Sequence, residues 1–291
     1  IMTALEQLQA LPIWQGTVRA TPLGGGITNV NFVAEDDNKR VVVRVGDDIA
    51  VHQIMRFNEL SASQAAHAAG VSPQVLYHAP GILVIDFIEG RSLTADDFQD
   101  MSLLGQAIDL VARAHREIPH HLRGPSLIFW VFHVIRDYAA TLQTGGSRYQ
   151  PLLADLLTDA ARLEKAVGPI DLVFGHNDLL PANFMQAPDR LWLIDWDYAG
   201  FNTPLFDLGG LATNNGLGPA QERWMLERYF DRPADDALLS HYHAMKAAAA
   251  LRETLWSMVS EQHSALDFDF AAYTQTNLAS YRQALDHFLQ S

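Results

Sequence analysis

The residues whose types and spacing could do chemistry lie in one segment in the second half of the chain. A polar run extends from His176 to Asn183, and Asp195 follows twelve residues later. Phosphoryl transfer needs a carboxylate that accepts the proton of the acceptor hydroxyl, and oxygen ligands that hold Mg²⁺ against the nucleotide phosphates. Asp178 fits the first role, and Asn183 and Asp195 fit the second. The alternative is an ordinary surface turn followed by a helix cap.

Two short apolar segments are placed to bring these candidate ligands together. If Phe184 to Gln186 pairs with Leu191 to Ile194 across the turn at 187–190, the chain folds back and places Asn183 beside Asp195. The spacing therefore predicts both metal ligands at one end of a β-hairpin. His176 has two interpretations, and we favour a buried histidine that braces the loop over a catalytic general base.

A glycine-rich turn lies between two predicted strands near the start of the chain. Glycines let backbone amides approach phosphate groups closely, which is a common way to bind a nucleotide. Such turns are also frequent in hairpins that bind nothing. The residues predicted to contact the nucleotide here are Gly24, Gly25, Gly26, Thr28 and Asn29.

Arg44 lies on the third predicted strand, Arg40 to Val45, and Glu59 lies on the helix that follows it. Kinases join a phosphate-binding cation on a strand to a carboxylate on the next helix, so the pair predicts a group that positions the phosphates. Each residue is ordinary by itself, and a solvated arginine and a surface glutamate are the alternative.

The order of elements predicts an α+β fold with two lobes. Alternating apolar residues and turns predict five antiparallel strands and one helix, from Ile54 to Ala69, within residues 1–87. Residues 88–291 are mainly helical by periodicity, over 101–117, 128–143, 151–167 and 233–261, whereas 172–194 suits loops and a hairpin. We therefore predict a small nucleotide-binding sheet lobe and a larger helical lobe that holds the catalytic loop and the acceptor pocket.

Composition limits the class of partner. Acidic residues outnumber basic ones 34 to 20 in 291 residues, a formal charge of -14, which repels nucleic acid and anionic membranes and attracts a cationic small molecule. The chain has no cysteine, so it has no disulfide and no thiolate site. Apolar runs are short, and no basic segment precedes an apolar run at the N-terminus. We expect a cytoplasmic monomer or homodimer without nucleic-acid or membrane partners.

Together, these motifs resemble the choline/ethanolamine kinase branch of the aminoglycoside phosphotransferase-like kinases. The resemblance runs from about Leu23 to about Tyr281, and it includes the segment from Ile194 to Asp207. It implies a bilobal protein-kinase-like fold, ATP and Mg²⁺ as cofactors, and a bracing role for Asp207 beneath the catalytic loop. That branch also carries arginine where Arg44 stands, although lysine is usual in kinases.

The same resemblance implies an acceptor pocket lined by the C-terminal helices. Aromatic faces attract a quaternary ammonium, and the predicted contacts are Trp256 first, then Tyr198 and Tyr273. Trp256 alternatively belongs to the apolar core of its helix. Asp197 is predicted to assist at the acceptor, with a solvated carboxylate as the alternative.

One departure from familiar choline kinases bears on the substrate. Where those proteins show two tryptophans one turn apart, this chain has Glu253 and Trp256. If Glu253 faces the pocket rather than solvent, it favours a primary amine that donates hydrogen bonds. We predict an ATP- and Mg²⁺-dependent phosphotransferase acting on choline or ethanolamine. The alternatives are a kinase for thiamine or an aminoglycoside, and a non-catalytic nucleotide-binding pseudokinase.

Overall fold

A computed structural model of the protein describes residues 2–24 and 29–291. Its N-terminal part is an antiparallel sheet of five strands in the order β1-β2-β3-β5-β4. The predicted nucleotide contacts Gly25, Gly26 and Thr28 lie outside the described residues. The strands are β1 Arg19–Leu23, β2 Val30–Glu35, β3 Arg40–Val45, β4 Val75–Ala79 and β5 Ile82–Asp86.

Strand β3 lies at the centre of the sheet. Val41 and Val43 are fully buried, as expected for β-branched residues that alternate toward one face of a strand. Arg44 lies opposite Asn31 of β2 and Leu83 of β5. The predicted five-stranded sheet is confirmed, and its central strand carries the candidate cation.

Helix α1 (Ala4–Gln9) precedes the sheet, and α2 (Arg56–Ala68) follows β3. Ala62, Ala65 and Ala66 of α2 pack into the core, and the first turn of the helix carries Glu59. The helix predicted over 54–69 is therefore confirmed, and its N-terminal end brings a buried carboxylate to the central strand.

The rest of the chain is mostly helical, as predicted. Its α-helices are α3 Met101–His121, α4 Val131–Thr144, α5 Gln150–Val167, α6 Pro204–Asn214, α7 Pro219–Phe230, α8 Asp236–His263 and α9 Phe270–Gln290. Helix α8 packs against α4, α5, α6 and α9. A Cβ at Gly209 would lie 3.0 Å from the Cα of Lys246, so glycine lets α6 approach α8 closely. This approach fixes the start of α6 beside the candidate catalytic loop.

Short strands frame that loop: β6 Arg91–Ser92, β7 Val173–Gly175, β8 Phe184–Gln186, β9 Leu191–Leu193 and β10 Gly200–Asn202. Phe184 pairs with Leu193 and Gln186 with Leu191, which confirms the predicted hairpin. In the part of the chain that the structure describes, no helix is long and apolar enough to cross a membrane. The division into residues 1–87 and 88–291 stays a prediction.

Candidate active site

Asp207, in the first turn of α6, holds the start of the catalytic loop. Its carboxylate accepts hydrogen bonds from the backbone N–H groups of His176 (2.8 Å) and Asn177 (2.7 Å) and from Nε2 of His115 (2.7 Å). Burial would raise the pKa of Asp207, but these donors hold it below its ordinary value. These hydrogen bonds fit the predicted role of Asp207, which is to stabilise the start of the loop.

Asn177 gives the loop its shape. Its backbone is left-handed, with φ of 67°, and its side-chain Nδ2 donates to the carbonyl of Tyr198 at 2.9 Å. Its Oδ1 accepts from Nδ2 of Asn202 at 3.0 Å. A Cβ at Gly175 would lie 2.5 Å from that Oδ1, so glycine is required where the chain enters the turn. These contacts set the direction in which the next residue, Asp178, projects.

His176 is fully buried, and both of its ring nitrogens are engaged. Nε2 lies 2.9 Å from the carbonyl of Ile194 and donates to it, while Nδ1 accepts from the backbone N–H of Asp178 at 3.2 Å. Burial lowers the pKa of His176, which favours the neutral ring that this pattern needs. The geometry suits a brace between the loop and the metal segment better than a general base.

Asp178 opens into a cavity of about 280 Å³. Burial, with further contributions from nearby carboxylates, raises the pKa of Asp178 to about 7, although the neighbouring Arg252 opposes this increase. A carboxylate with a pKa near neutrality is well matched to proton transfer. Glu253 and Tyr273, both predicted acceptor contacts, line the same cavity. The structure thus brings the predicted base and two predicted acceptor contacts together.

The hairpin β8–β9 places the two predicted metal ligands next to one another. The Nδ2 of Asn183 donates to the carbonyl of Asp178 at 2.9 Å, and the carbonyl of Asn183 accepts from Ile194, the neighbour of Asp195, at 3.0 Å. Asn183 and Asp195 both line a second cavity, of about 320 Å³. Because the amide nitrogen of Asn183 is committed to the loop, its side-chain oxygen is the atom left to act as a ligand.

The donor set suits a hard cation. Burial raises the pKa of Asp195 well above its ordinary value, and the nearby carboxylates of Asp197, Asp178 and Glu59 raise it further. A divalent cation would relieve this repulsion. Among the described residues, no group of three or more His, Asp or Glu has a metal-binding arrangement. One carboxylate and one amide oxygen still fit Mg²⁺, because that ion usually keeps several waters and takes phosphate oxygens as further ligands.

Arg44 and Glu59 form a buried bidentate pair. The Nε of Arg44 lies 2.8 Å from Oε1 of Glu59, and Nη2 lies 2.6 Å from Oε2. Both side chains are more than nine-tenths buried, and both line the 320 Å³ cavity together with Gly24 and Asn29. The predicted nucleotide contacts that the structure describes therefore share one cleft with the metal pair.

Arg56 joins this pair to the metal segment, and the sequence reading missed it. Its Nη1 lies 2.9 Å from Oε2 of Glu59 and 2.8 Å from Oδ1 of Asp197, and its Nη2 donates to Oδ1 of Asn29. Asn29 in turn donates to Asp197 at 2.9 Å. The i,i+3 spacing of Arg56 and Glu59 on α2 was the one local signal. Asp197, predicted to assist at the acceptor, belongs to this ion network and is not among the described residues that line the 280 Å³ cavity.

Two aromatic residues predicted to contact the acceptor lie in the core. Trp256 is 4% exposed and Tyr198 is 8% exposed, and Nε1 of Trp256 donates to the Tyr198 hydroxyl at 2.8 Å. Trp256 also stacks on His52, with ring centroids 5.1 Å apart. Neither residue is among the described residues that line the 280 Å³ cavity. Trp256 therefore fits the alternative interpretation, in which it belongs to the apolar core of its helix. Its indole packs among the helices and does not line the cavity.

Arg252 is a second residue that sequence reasoning missed. It lines the 280 Å³ cavity, is 4% exposed, and donates from Nη1 to Oε2 of Glu253 at 3.1 Å. Its guanidinium carbon lies 4.5 Å from the ring centroid of Tyr198 and 5.3 Å from that of Phe129. Nothing in the sequence of this helix indicates that the arginine is buried against aromatic rings on the wall of a cavity. The cavity beside Asp178 therefore contains a fixed positive charge.

Comparisons with known proteins define the class and the family. A solved structure described as a choline/ethanolamine kinase family protein from Mesorhizobium loti superposes with a TM-score of 0.79 at 27% identity, over 96% of this chain and 92% of that one. With the site geometry, this defines a small-molecule kinase with a kinase-like fold. The choline/ethanolamine kinase family model matches residues 20–216, so the chain belongs to that family.

Curated relatives agree with this assignment. A "Probable ethanolamine kinase" of Arabidopsis thaliana is 27% identical over 295 residues, which cover 90% of this chain and 78% of that protein. "Protein LicA" of Haemophilus influenzae is 27% identical over 267 residues, which cover 85% of this chain and 75% of that protein. The resemblance read from the motifs is confirmed at the level of the family.

Proposed function

We propose that this kinase transfers the terminal phosphoryl group of ATP, with Mg²⁺ as cofactor, to the hydroxyl of choline or ethanolamine. The observation that carries the proposal is that one short loop lines two cavities. Asp178 lines the 280 Å³ cavity, Asn183 lines the 320 Å³ cleft, and Nδ2 of Asn183 donates to the backbone carbonyl of Asp178 at 2.9 Å. A phosphate bound in the cleft and a hydroxyl bound in the cavity would therefore meet beside Asp178.

Asp178 supplies the proton-accepting step in this proposal. The acceptor oxygen forms a bond to the γ-phosphorus, the bond from that phosphorus to the β,γ-bridging oxygen breaks, and ADP leaves. The hydroxyl proton passes to the Asp178 carboxylate, whose pKa of about 7 leaves a substantial deprotonated fraction near neutral pH.

Asn183 and Asp195 are the proposed Mg²⁺ ligands, and the ion would neutralise phosphate charge in the cleft. The bidentate contact with Glu59 fixes the orientation of Arg44, and Gly24 and Asn29 line the nucleotide side of the same cleft. These residues act by holding the phosphates in place rather than by covalent chemistry.

The acceptor cavity supports a small cationic alcohol. Glu253 and Tyr273 place a carboxylate and a hydroxyl on its wall, and the Tyr273 hydroxyl donates to Glu253 at 2.8 Å. The family description names choline and ethanolamine, and the Arabidopsis relative is named for ethanolamine alone. The net charge of -14 adds long-range attraction for a cation.

The test is ADP release from ATP and Mg²⁺ with choline, ethanolamine, thiamine and kanamycin supplied separately. Release with choline or ethanolamine, together with the matching phosphomonoester as product, supports the proposal. Release with thiamine or kanamycin alone would contradict the proposed acceptor but would leave the proposed ATP- and Mg²⁺-dependent phosphoryl transfer in place. Nucleotide binding without turnover on any acceptor would instead favour a pseudokinase.

A further inference from the structure

The acceptor cavity contains a cation that belongs to the protein itself. The Nε and Nη2 atoms of Arg252 are buried and have no hydrogen-bond partner among the residues that the structure describes. The guanidinium lies instead against the ring faces of Tyr198 and Phe129, at 4.5 and 5.3 Å. Arginine stacks well on aromatic faces because its delocalised charge is weakly hydrated. Arg252 therefore covers the faces of these two rings, and the aromatic residues that line the cavity itself are Phe206 and Tyr273.

The remaining N–H group of Arg252 organises the polar wall of the cavity. Nη1 donates to Oε2 of Glu253 at 3.1 Å, and the Tyr273 hydroxyl donates to Oε1 at 2.8 Å. Each carboxylate oxygen accepts more than one hydrogen bond, so Glu253 retains capacity for a ligand. The Glu253 side chain is 24% exposed, whereas that of Arg252 is 4% exposed. Further hydrogen-bonding side chains on the cavity wall are Thr213, Asn214, Thr276, Asn277 and Ser280.

We propose that Arg252 makes this cavity selective for an acceptor whose ammonium group carries N–H bonds over one whose ammonium is quaternary. This inference rests on the proposed function, because it specifies the substrate of the same site. A quaternary ammonium cannot donate hydrogen bonds and depends on aromatic faces, and Arg252 occupies the face of Tyr198. A primary ammonium instead donates charge-assisted hydrogen bonds to Glu253. Arg252 is thus a specificity-determining residue.

The first test is a methylation series on the unaltered enzyme. We would measure kcat/KM for ethanolamine, N-methylethanolamine, N,N-dimethylethanolamine and choline with ATP and Mg²⁺. The expected result is a decline along the series, with ethanolamine favoured over choline by about tenfold or more. Equal or better use of choline would overturn this inference and leave the proposed function intact. Absence of turnover with every member would refute the proposed function, and the inference with it.

The second test assigns the effect to Arg252. Arg252→Met removes the charge and should raise the choline-to-ethanolamine ratio of kcat/KM by about tenfold or more. Because Arg252 also lies near Asp178, its loss affects the proton-accepting step for every acceptor, and the ratio cancels that shared effect. Arg252→Lys retains a cation and should keep the preference for ethanolamine.

The matched control is Arg148→Met. Arg148 also pairs with a glutamate, Glu261 of α8, and its guanidinium lies 4.9 Å from the ring centroid of Tyr149, but its side chain is 58% exposed. Its removal should leave the acceptor ratio unchanged. If Arg252→Met and Arg148→Met give the same ratio as the unaltered enzyme, Arg252 is not the determinant. If Arg252→Met does not fold, the methylation series still decides the inference, because equal or better use of choline by the unaltered enzyme overturns it.

Discussion

Replacing Asp207 with asparagine tests whether the catalytic loop depends on one buried carboxylate. Oδ2 of Asp207 accepts from the backbone N–H of His176 and from Nε2 of His115, and Oδ1 accepts from the backbone N–H of Asn177. Asparagine has one acceptor oxygen and one NH₂ donor. In either orientation of the amide, at least one backbone N–H of the loop then faces a donor. A change of His115 tautomer restores the hydrogen bond between the His115 ring and residue 207. It does not provide an acceptor for the backbone N–H that faces the new amide group.

The structure sets the size of the expected effect. Asp207, His176 and Asn177 are each at most 2% exposed, so water cannot replace the lost acceptor. An unsatisfied buried donor costs about 1–3 kcal/mol, and loss of the negative charge weakens the remaining hydrogen bonds. We therefore expect Asp207→Asn to lower the free energy of unfolding by about 2–4 kcal/mol. Because Asp178 directly follows Asn177, kcat should also fall by about tenfold to a hundredfold.

Urea unfolding followed by tryptophan fluorescence and ADP release at saturating acceptor measure the two effects in parallel. Tyr229→Phe is the matched control, because it removes the hydrogen bond of 2.7 Å at the far side of His115 and leaves the Asp207 carboxylate in place. That control should cost about 1 kcal/mol and leave kcat nearly unchanged. If Asp207→Asn matches Tyr229→Phe in both measurements, the bracing role of Asp207 is refuted.

Three further predictions follow from the same geometry. Asp178→Asn should lower kcat by about a hundredfold or more while unfolding stays cooperative, and a loss below tenfold would contradict a proton-accepting role. Asp195→Ala should abolish the effect of Mg²⁺ on ATP affinity in a calorimetric titration, whereas Asp189→Ala, an exposed residue in the turn of the same hairpin, should retain it. Burial lowers the pKa of His52 from 6.5 to about 3, so its neutral form stabilises the fold above pH 6.5 and this contribution is lost as the pH falls. Between pH 7.5 and pH 5 the unaltered protein should lose on the order of 2 kcal/mol more than His52→Asn in urea unfolding, and equal losses would contradict this assignment.

The sequence determined the elements whose signals are local. Short apolar runs separated by turns predicted the sheet around β3, and helical periodicity predicted α2 and most of the helices that follow. The spacing between Asn183 and Asp195 predicted a hairpin, because two apolar segments flank a turn of the right length. The family likewise followed from short motifs, since residue types and spacing within a loop do not depend on distant parts of the chain.

The tertiary structure decided which of the predicted acceptor contacts line the cavity. Residues 247–252 of α8 are all buried, so no polar stripe on that helix shows which side chains face the cavity. Trp256 and Glu253 lie one turn apart, yet packing turns the first into the core and the second toward Asp178. The contact between Arg56 and Asp197 joins residues 141 positions apart. Such contacts depend on how the helices and strands pack against one another, so they cannot be predicted from the local sequence.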